Sequence, residues 1–293
     1  MLTSLFSNSK PLKENVLGIN QRNVDLIFSH NQRKHYKLAD DKAETKLVLE
    51  PRGLSCPITY AMISNIGGIE SKWKKLRAHH SLVIKPAKGS GGGGILVLHK
   101  KEGDWYKGSS IIQEREIFSH IANIIFGVYS FGDSDRAIIE QCIQPHAFFG
   151  NIYSEGVPDV RIITVKGVPV LGMLRLPTEA SDGKANLHQG GLGVGIDMET
   201  GILTHVYDGK EYSTHHPDSG NQITGLTLPH WDEIIALSKE VSRAFPLEYL
   251  GIDIVIDREM GPTVLEINVR PGLGIQMANK KGLKKEILRK IEV

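Results

Sequence analysis

The chain has 293 residues, 35 Lys and Arg against 33 Asp and Glu for a formal charge of +2, and 40% apolar residues. This is the composition of a globular protein with a sizeable core, in one large domain or two modest ones. It argues against wholesale disorder and against a dedicated nucleic-acid binder, which would carry a basic surplus.

Two cysteines, Cys56 and Cys142, are too few for a secreted disulfide framework, and the opening MLTSLFSNSK holds no signal-peptide core. No apolar run approaches the roughly 18 residues a membrane span needs, so a cytoplasmic protein is expected.

Residues 1–35 are polar and mixed, with one apolar turn from Val24 to Phe28. Leu38, Ala39, Lys42 and Lys46 at helical spacing predict a helix over 36–50, broken by Pro51-Arg52-Gly53. A second short helix is predicted over 57–66, started by Pro57 and ended by Gly67-Gly68. From 81 short strands take over: SLVIKP at 81–86, halted by Pro86, then ILVLHK at 95–100 and RAIIEQCI at 136–143. A helix is expected near 114–125.

After Pro145 a larger sheet is predicted from strands at 159–166, 169–175, 192–197, 250–257 and 263–269. A helix at 230–245 turns Ile234, Ile235, Leu237, Val241 and Phe245 inward. The tail from Lys280 reads as a basic helix, which suits an anionic membrane or a protein partner, or merely complements its own dipole. The chain thus divides into an N-terminal helical region (1–80), a small α+β subdomain (81–145) and a larger one (146–293).

The sharpest signal is GIDIVIDREMGPTVLEINVRPG at 251–272. Two β-rich runs flank a turn at Arg258–Pro262. Alternation puts Asp253, Val255 and Asp257 on one face of the first run, and Glu266, Asn268 and Arg270 on one face of the second. Folding the hairpin about residue 260 sets Asp253 opposite Glu266 and Asn268. Two carboxylates and an amide oxygen are hard ligands suited to magnesium, usually held by one or two carboxylates with phosphate oxygens beside them. Arg270 on that face would meet a phosphate or a substrate carboxylate. The same alternation also suits a half-buried hairpin whose wet face is charged.

SLVIKPAKGSGGGGILVL places glycines between two strands. Glycine backbone N–H groups can approach phosphate closely, and Ser90 adds a hydroxyl. The loop lacks the GK[ST] ending of a P-loop, and a strand rather than a helix follows it, so neither familiar nucleotide motif applies. Lys85 ends an apolar strand, where a lysine is costly unless paired with an anion or solvent. Lys88 reads as solvated. No HxxH or HExxH pattern among His79, His80, His146 and His188 supports zinc. Cys142 reads as a small buried apolar residue.

Taken together these motifs resemble the ATP-grasp superfamily, in particular the branch of glutamate ligases that modify ribosomal protein tails, over residues 36–275. VIKP at 83–86 resembles the strand lysine on the nucleotide's phosphates, and Gly89, Ser90, Gly91, Gly92 and Gly93 the flexible loop over the β- and γ-phosphates. IIEQCI resembles the hinge that lines the adenine pocket, with Glu140 at its acidic position and the backbone of Gln141, Cys142 and Ile143 toward the purine. DVR at 159–161 resembles a paired acid and arginine, Arg161 facing substrate or the γ-phosphate. NLHQGGLG, which begins at Asn186, resembles the segment next to the transferred phosphate; within it His188 suits either a contact to substrate or phosphate or a surface histidine.

Asp253, Glu266 and Asn268 match the metal-binding trio and Arg270 the arginine after it. Lys42 or Lys46 matches the lysine that reaches the α-phosphate.

The resemblance implies an α+β ATP-grasp fold of two subdomains clasping the nucleotide, with ATP and magnesium, or manganese, as cofactors. Only about 35 residues precede the first predicted helix, so the pre-grasp region is expected to be truncated. The implied activity is ligation of a carboxylate to an amine through an acylphosphate. The amine acceptor would be an amino acid, a peptide or a protein tail. The alternatives are phosphotransfer without an amine acceptor and a non-catalytic ATP-binding regulator. No transmembrane segment and no nucleic-acid partner are expected.

Overall fold

The computed structural model describes residues 15–89 and 91–291. The chain forms two compact units, Asp41–Leu47 with Cys56–Ile143, and Met1–Asp40 with Val48–Ser55 and Gln144–Val293. No helix among the described residues is long and apolar enough to cross a membrane.

The smaller unit takes in the first turns of helix α1 (Lys42–Leu49), which Asp41 starts by accepting from the backbone N–H groups of Ala43 and Glu44 at 3.0 and 3.3 Å. That cap explains why the single helix expected over 36–50 is two, with a short turn at Lys37–Asp40 before it.

Residues 57–66 do not form the helix that Pro57 suggested. Strand β1 (Thr59–Ile63) lies there instead, and helix α2 (Ile69–Leu76) follows Gly67-Gly68. The run Ile58-Thr59-Tyr60 is β-branched and aromatic, and cross-strand pairing outweighs the helix-starting proline. Strands β2 (Ser81–Pro86), β3 (Leu96–Lys101), β4 (Asp104–Lys107), β5 (Ser110–Ile111) and β6 (Ala137–Glu140) complete an antiparallel sheet of order β1-β6-β2-β3-β4-β5. The 1–80 segment therefore contributes an edge strand to this sheet.

Helix α3 (Glu114–Ile125) begins at a capping box in which Glu116 accepts from the Gln113 N–H at 2.9 Å. One sheet face, with Ile63, Leu82, Ile84 and Ile139, packs on Trp73 of α2 and on Ile117, Ile121 and Ile124 of α3. Alternation leaves Lys85, Ile138 and Glu140 on the opposite face.

The larger unit is built on a seven-stranded antiparallel sheet of β7 (Asp159–Val165), β8 (Val168–Leu176), β9 (Leu192–Ile196), β10 (Leu203–Tyr207), β11 (Tyr212–Ser213), β12 (Tyr249–Asp257) and β13 (Gly261–Asn268), ordered β11-β10-β9-β8-β7-β12-β13. Helix α4 (Trp231–Ala244) packs on it through Trp231, Ile234 and Val241. Helices α5 (Gly274–Asn279) and α6 (Leu283–Ile291) end the chain. Every residue of β12 is buried, Asp253 and Asp257 included, so its carboxylates need partners within the protein. Asp257 has them in the backbone N–H groups of Gln144, Glu259 and Met260 at 2.8–3.0 Å, which closes the turn before β13.

Candidate functional site

Register assembles the polar face of the larger sheet. Asp159 pairs with Arg175 across β7 and β8, Asp253 with Arg161 across β12 and β7, and Asp253 with Glu266 across β12 and β13. Directly opposed residues share a face, so these five side chains and Asn268 project from the same side. The opposition of Asp253 to Glu266 is the one the hairpin predicts.

What surrounds Asp253 is denser than a ligand trio. Its Oδ1 accepts from Arg161 Nε at 2.7 Å. Its Oδ2 accepts from Arg161 Nη2 at 2.6 Å, Arg175 Nη2 at 2.7 Å and Asn268 Nδ2 at 3.2 Å. Arg175 also holds Asp159 through two bonds of 2.5 and 2.6 Å. The result is a buried chain of alternating charge, Asp159–Arg175–Asp253–Arg161. Planar guanidinium forks match both oxygens of a carboxylate, which suits arginine to this network better than lysine.

The two carboxylates respond oppositely. Burial and the charge of Asp253 push Asp159 up to about 6 against the pull of Arg175. Burial also opposes ionisation of Asp253, but Arg161 and Arg175 overcome it and hold that carboxyl down to about 2. An acid whose folded pKa is raised binds its proton more tightly in the folded state, so acidification favours folding. Stability should therefore rise as pH falls from about 6 toward the ordinary aspartate value near 3.8. Below that value the depressed Asp253 reverses the trend. Thermal melts across this range should show the rise in the wild type and not in Asp159→Asn.

Arg175 went unnoticed in the sequence, although it ends the apolar strand VPVLGMLRL as Lys85 ends SLVIKP. A lone cation closing a buried strand was the available signal. Arg270, expected on the ligand face, instead lies exposed with Nη1 3.4 Å from Asp40 and its guanidinium over the Tyr36 ring. Asn186 caps the turn Leu187–Gln189 by accepting from the His188 N–H at 3.1 Å, and His188 is exposed. Among the described residues, Asn186 bonds to the His188 N–H and Arg270 to Asp40, and neither is hydrogen-bonded to the Asp253 network.

Glu266 and Asn268 offer hard oxygen at adjacent same-face positions, as magnesium requires. Asp253 is already engaged by two arginines, and among the described residues no group of three or more His, Cys, Asp and Glu could hold a metal by themselves. The residues fit a cation that shares its shell with other oxygens, and not a closed protein cage.

In the smaller unit a second ionic cluster lies on the face away from α2 and α3. Glu140 is 2% exposed and receives both Lys85 Nζ and, at 2.9 Å, Lys46 Nζ. Lys46 also donates to the Pro57 carbonyl. Burial pulls the Lys85 ammonium down, with Glu140 opposing and Lys46 adding to the shift. The anion that Lys85 demanded is thus Glu140, and one carboxylate serves two buried cations.

Lys42 takes a different position, with Nζ 2.6 Å from the Gly89 carbonyl. Gly91 and Gly92 adopt φ of +61° and +76°, the left-handed backbone that glycine permits; Ser90 lies outside the described residues. Lys88 is exposed, as expected, and its Nζ donates to the Ser134 carbonyl at 2.9 Å. In the segment after Glu140, beyond the end of β6, the Gln141 N–H is paired with the Ile58 carbonyl at 2.9 Å. Cys142 is half-buried, not buried, and Ile143 is buried.

Comparison with curated proteins gives no match. Among solved structures, biotin carboxylase from Campylobacter jejuni aligns at TM-score 0.54 and 13% identity over 86% of this chain and 46% of that one. D-alanyl-alanine synthetase A from Vibrio cholerae aligns at 0.52 and 12% over 86% and 63%. D-alanine–D-alanine ligase from Bacillus anthracis aligns at 0.45 and 15% over 85% and 61%. The chain spans less than two thirds of the length of each, and at these identities the first two likenesses show the fold. Residues 21–293 match the family described as sugar-transfer associated ATP-grasp. With the match covering nearly the whole chain, the protein belongs to the sugar-transfer associated ATP-grasp family.

Proposed function

We propose that the protein is an ADP-forming ligase that joins a carboxylate to an amine, with ATP activating the acid as an acylphosphate. The observation that carries this reading is the buried Asp159–Arg175–Asp253–Arg161 chain beside Glu266 and Asn268. Acyl activation develops negative charge on phosphoryl and carboxyl oxygens. Guanidinium groups fixed in advance by carboxylates stabilise such charge without reorganising during the reaction. Magnesium, when bound by Glu266 and Asn268 with a share in Asp253, would neutralise phosphate charge.

In the smaller unit Lys85, Lys46 and Lys42 are the proposed phosphate contacts. Glu140 holds two of them, Lys85 and Lys46, in place. The segment Gln141–Ile143 and Gly89–Gly93 are the proposed surroundings of the nucleotide base and phosphates. Asn186, His188 and Arg270 are proposed substrate contacts, consistent with the exposure of His188 and Arg270. The motif resemblance makes glutamate or another amino acid the first substrate to try, joined to a peptide or small molecule. The family's association with sugar transfer adds acids and amines carried on sugars.

The test measures ADP, free phosphate and product mass with ATP, magnesium and a panel of acids and amines. ADP and phosphate should appear in equal amounts and only with both substrates present. Glu266→Ala should lower the rate by about 10²–10³-fold, the range for removing one preorganised charge stabiliser. ADP formed without any amine, its phosphate retained on an acceptor, would show a phosphotransferase instead.

A further inference from the structure

The glycine loop of the smaller unit is tied down at both ends by one stretch of chain, α3 and the turn after it. At the entry, the Lys88 N–H donates to Asp135 Oδ2 at 3.0 Å, and Asp135 is held by the Ser130 hydroxyl and, at 2.7 Å, by the Arg136 N–H. At the exit, His120 Nε2 lies 2.9 Å from the Gly94 carbonyl, and the Tyr129 hydroxyl lies 3.4 Å from His120 Nδ1.

A carbonyl only accepts, so Nε2 must carry the proton, and in the neutral ring Nδ1 is left to accept from Tyr129. Burial, the largest influence on His120, favours that neutral ring. Gly94 sits at φ +76°, and a Cβ there would meet the Tyr129 ring at 2.6 Å. The loop exit is therefore seated between an aromatic wall and an imidazole donor, and only glycine fits the seat.

We propose that His120 is a positioning residue for the glycine loop: it sets the loop's exit through the Gly94 carbonyl, oriented by Tyr129, and thereby raises affinity for a nucleotide it does not touch. The inference rests on the nucleotide role proposed above for this loop. Backbone N–H groups bind phosphate well only when their directions are fixed beforehand, since disorder in the free loop must be removed on binding.

Three variants decide it: His120→Ala, His120→Gln, whose amide can still donate to Gly94, and Tyr129→Phe, which keeps the wall and loses the hydroxyl. Hydrogen exchange in the full chain without nucleotide reads the loop directly, and calorimetry with MgADP reads affinity. His120→Ala should speed exchange at Gly91–Ile95 and weaken MgADP by about tenfold, the scale of one lost hydrogen bond, with a larger effect on KM for ATP than on kcat.

His120→Gln should stay within about threefold of wild type on both readouts and Tyr129→Phe should fall between them. Unchanged exchange in His120→Ala would overturn the proposal, as would a His120→Gln variant no better than alanine. If the wild type binds no MgADP, the nucleotide reading of the loop fails, while the exchange data still decide whether His120 holds it.

Discussion

Glu140→Gln is expected to destabilise the smaller unit by about 3–5 kcal/mol, the range for removing one partner of a buried ion pair. The carboxylate is 2% exposed and neutralises Lys46 and Lys85 together, so the variant leaves two ammonium groups without their counter-charge. Denaturant titration of single and double variants separates this from a simple loss of packing. Lys46→Met alone should cost less, because Glu140 keeps Lys85. Lys46→Met added to Glu140→Gln should restore part of the loss, because one of the stranded cations is gone. Strict additivity of the two changes would mean that the three groups do not act as a cluster.

This cluster also shows how far the sequence could be read. Lys85 was recognisable as a cation that needs an anion, because it closes the apolar run Ser81-Leu82-Val83-Ile84. Its partner was not, since Glu140 lies fifty-five residues away, and only the antiparallel pairing of β2 with β6 brings them together. Within one hairpin the logic reached further. Asp253 and Glu266 flank a single turn, so period-two alternation and a turn centre were enough to oppose them.

Across several strands it failed. The arginines on Asp253 come from β7 and β8, whose order beside β12 is a matter of topology, and Arg175 was missed for that reason. Local propensity failed where tertiary pairing overrode it, at β1, whose helix-like start at Pro57 is outweighed by a partner strand. Arg270 shows a third limit. It lies two residues beyond the end of β13, and its side chain meets Asp40 and Tyr36, partners from the N-terminal part of the chain that the hairpin alone does not reveal.

Asp253→Asn should be the most damaging single change in the larger unit, and it separates two roles that a metal-ligand reading would merge. Asparagine is nearly isosteric, yet it has one acceptor oxygen where the carboxylate takes four donors, and its amide hydrogens face guanidinium groups. Arg161 and Arg175 would lose their shared anion inside the protein. A stability loss of about 3–5 kcal/mol follows, together with loss of the proposed activity.

Glu266→Ala should lower activity by the same 10²–10³-fold, roughly, at little cost in stability, because Glu266 is half-buried and both arginines keep Asp253. If Asp253 served chiefly as a cation ligand, the two variants would behave alike, each stable and inactive, and excess magnesium would partly rescue both. The arrangement of donors around Asp253 predicts instead that magnesium cannot rescue Asp253→Asn. What that variant lacks is the anion that aims two arginines, and a cation added among them would repel both guanidinium groups instead of holding them.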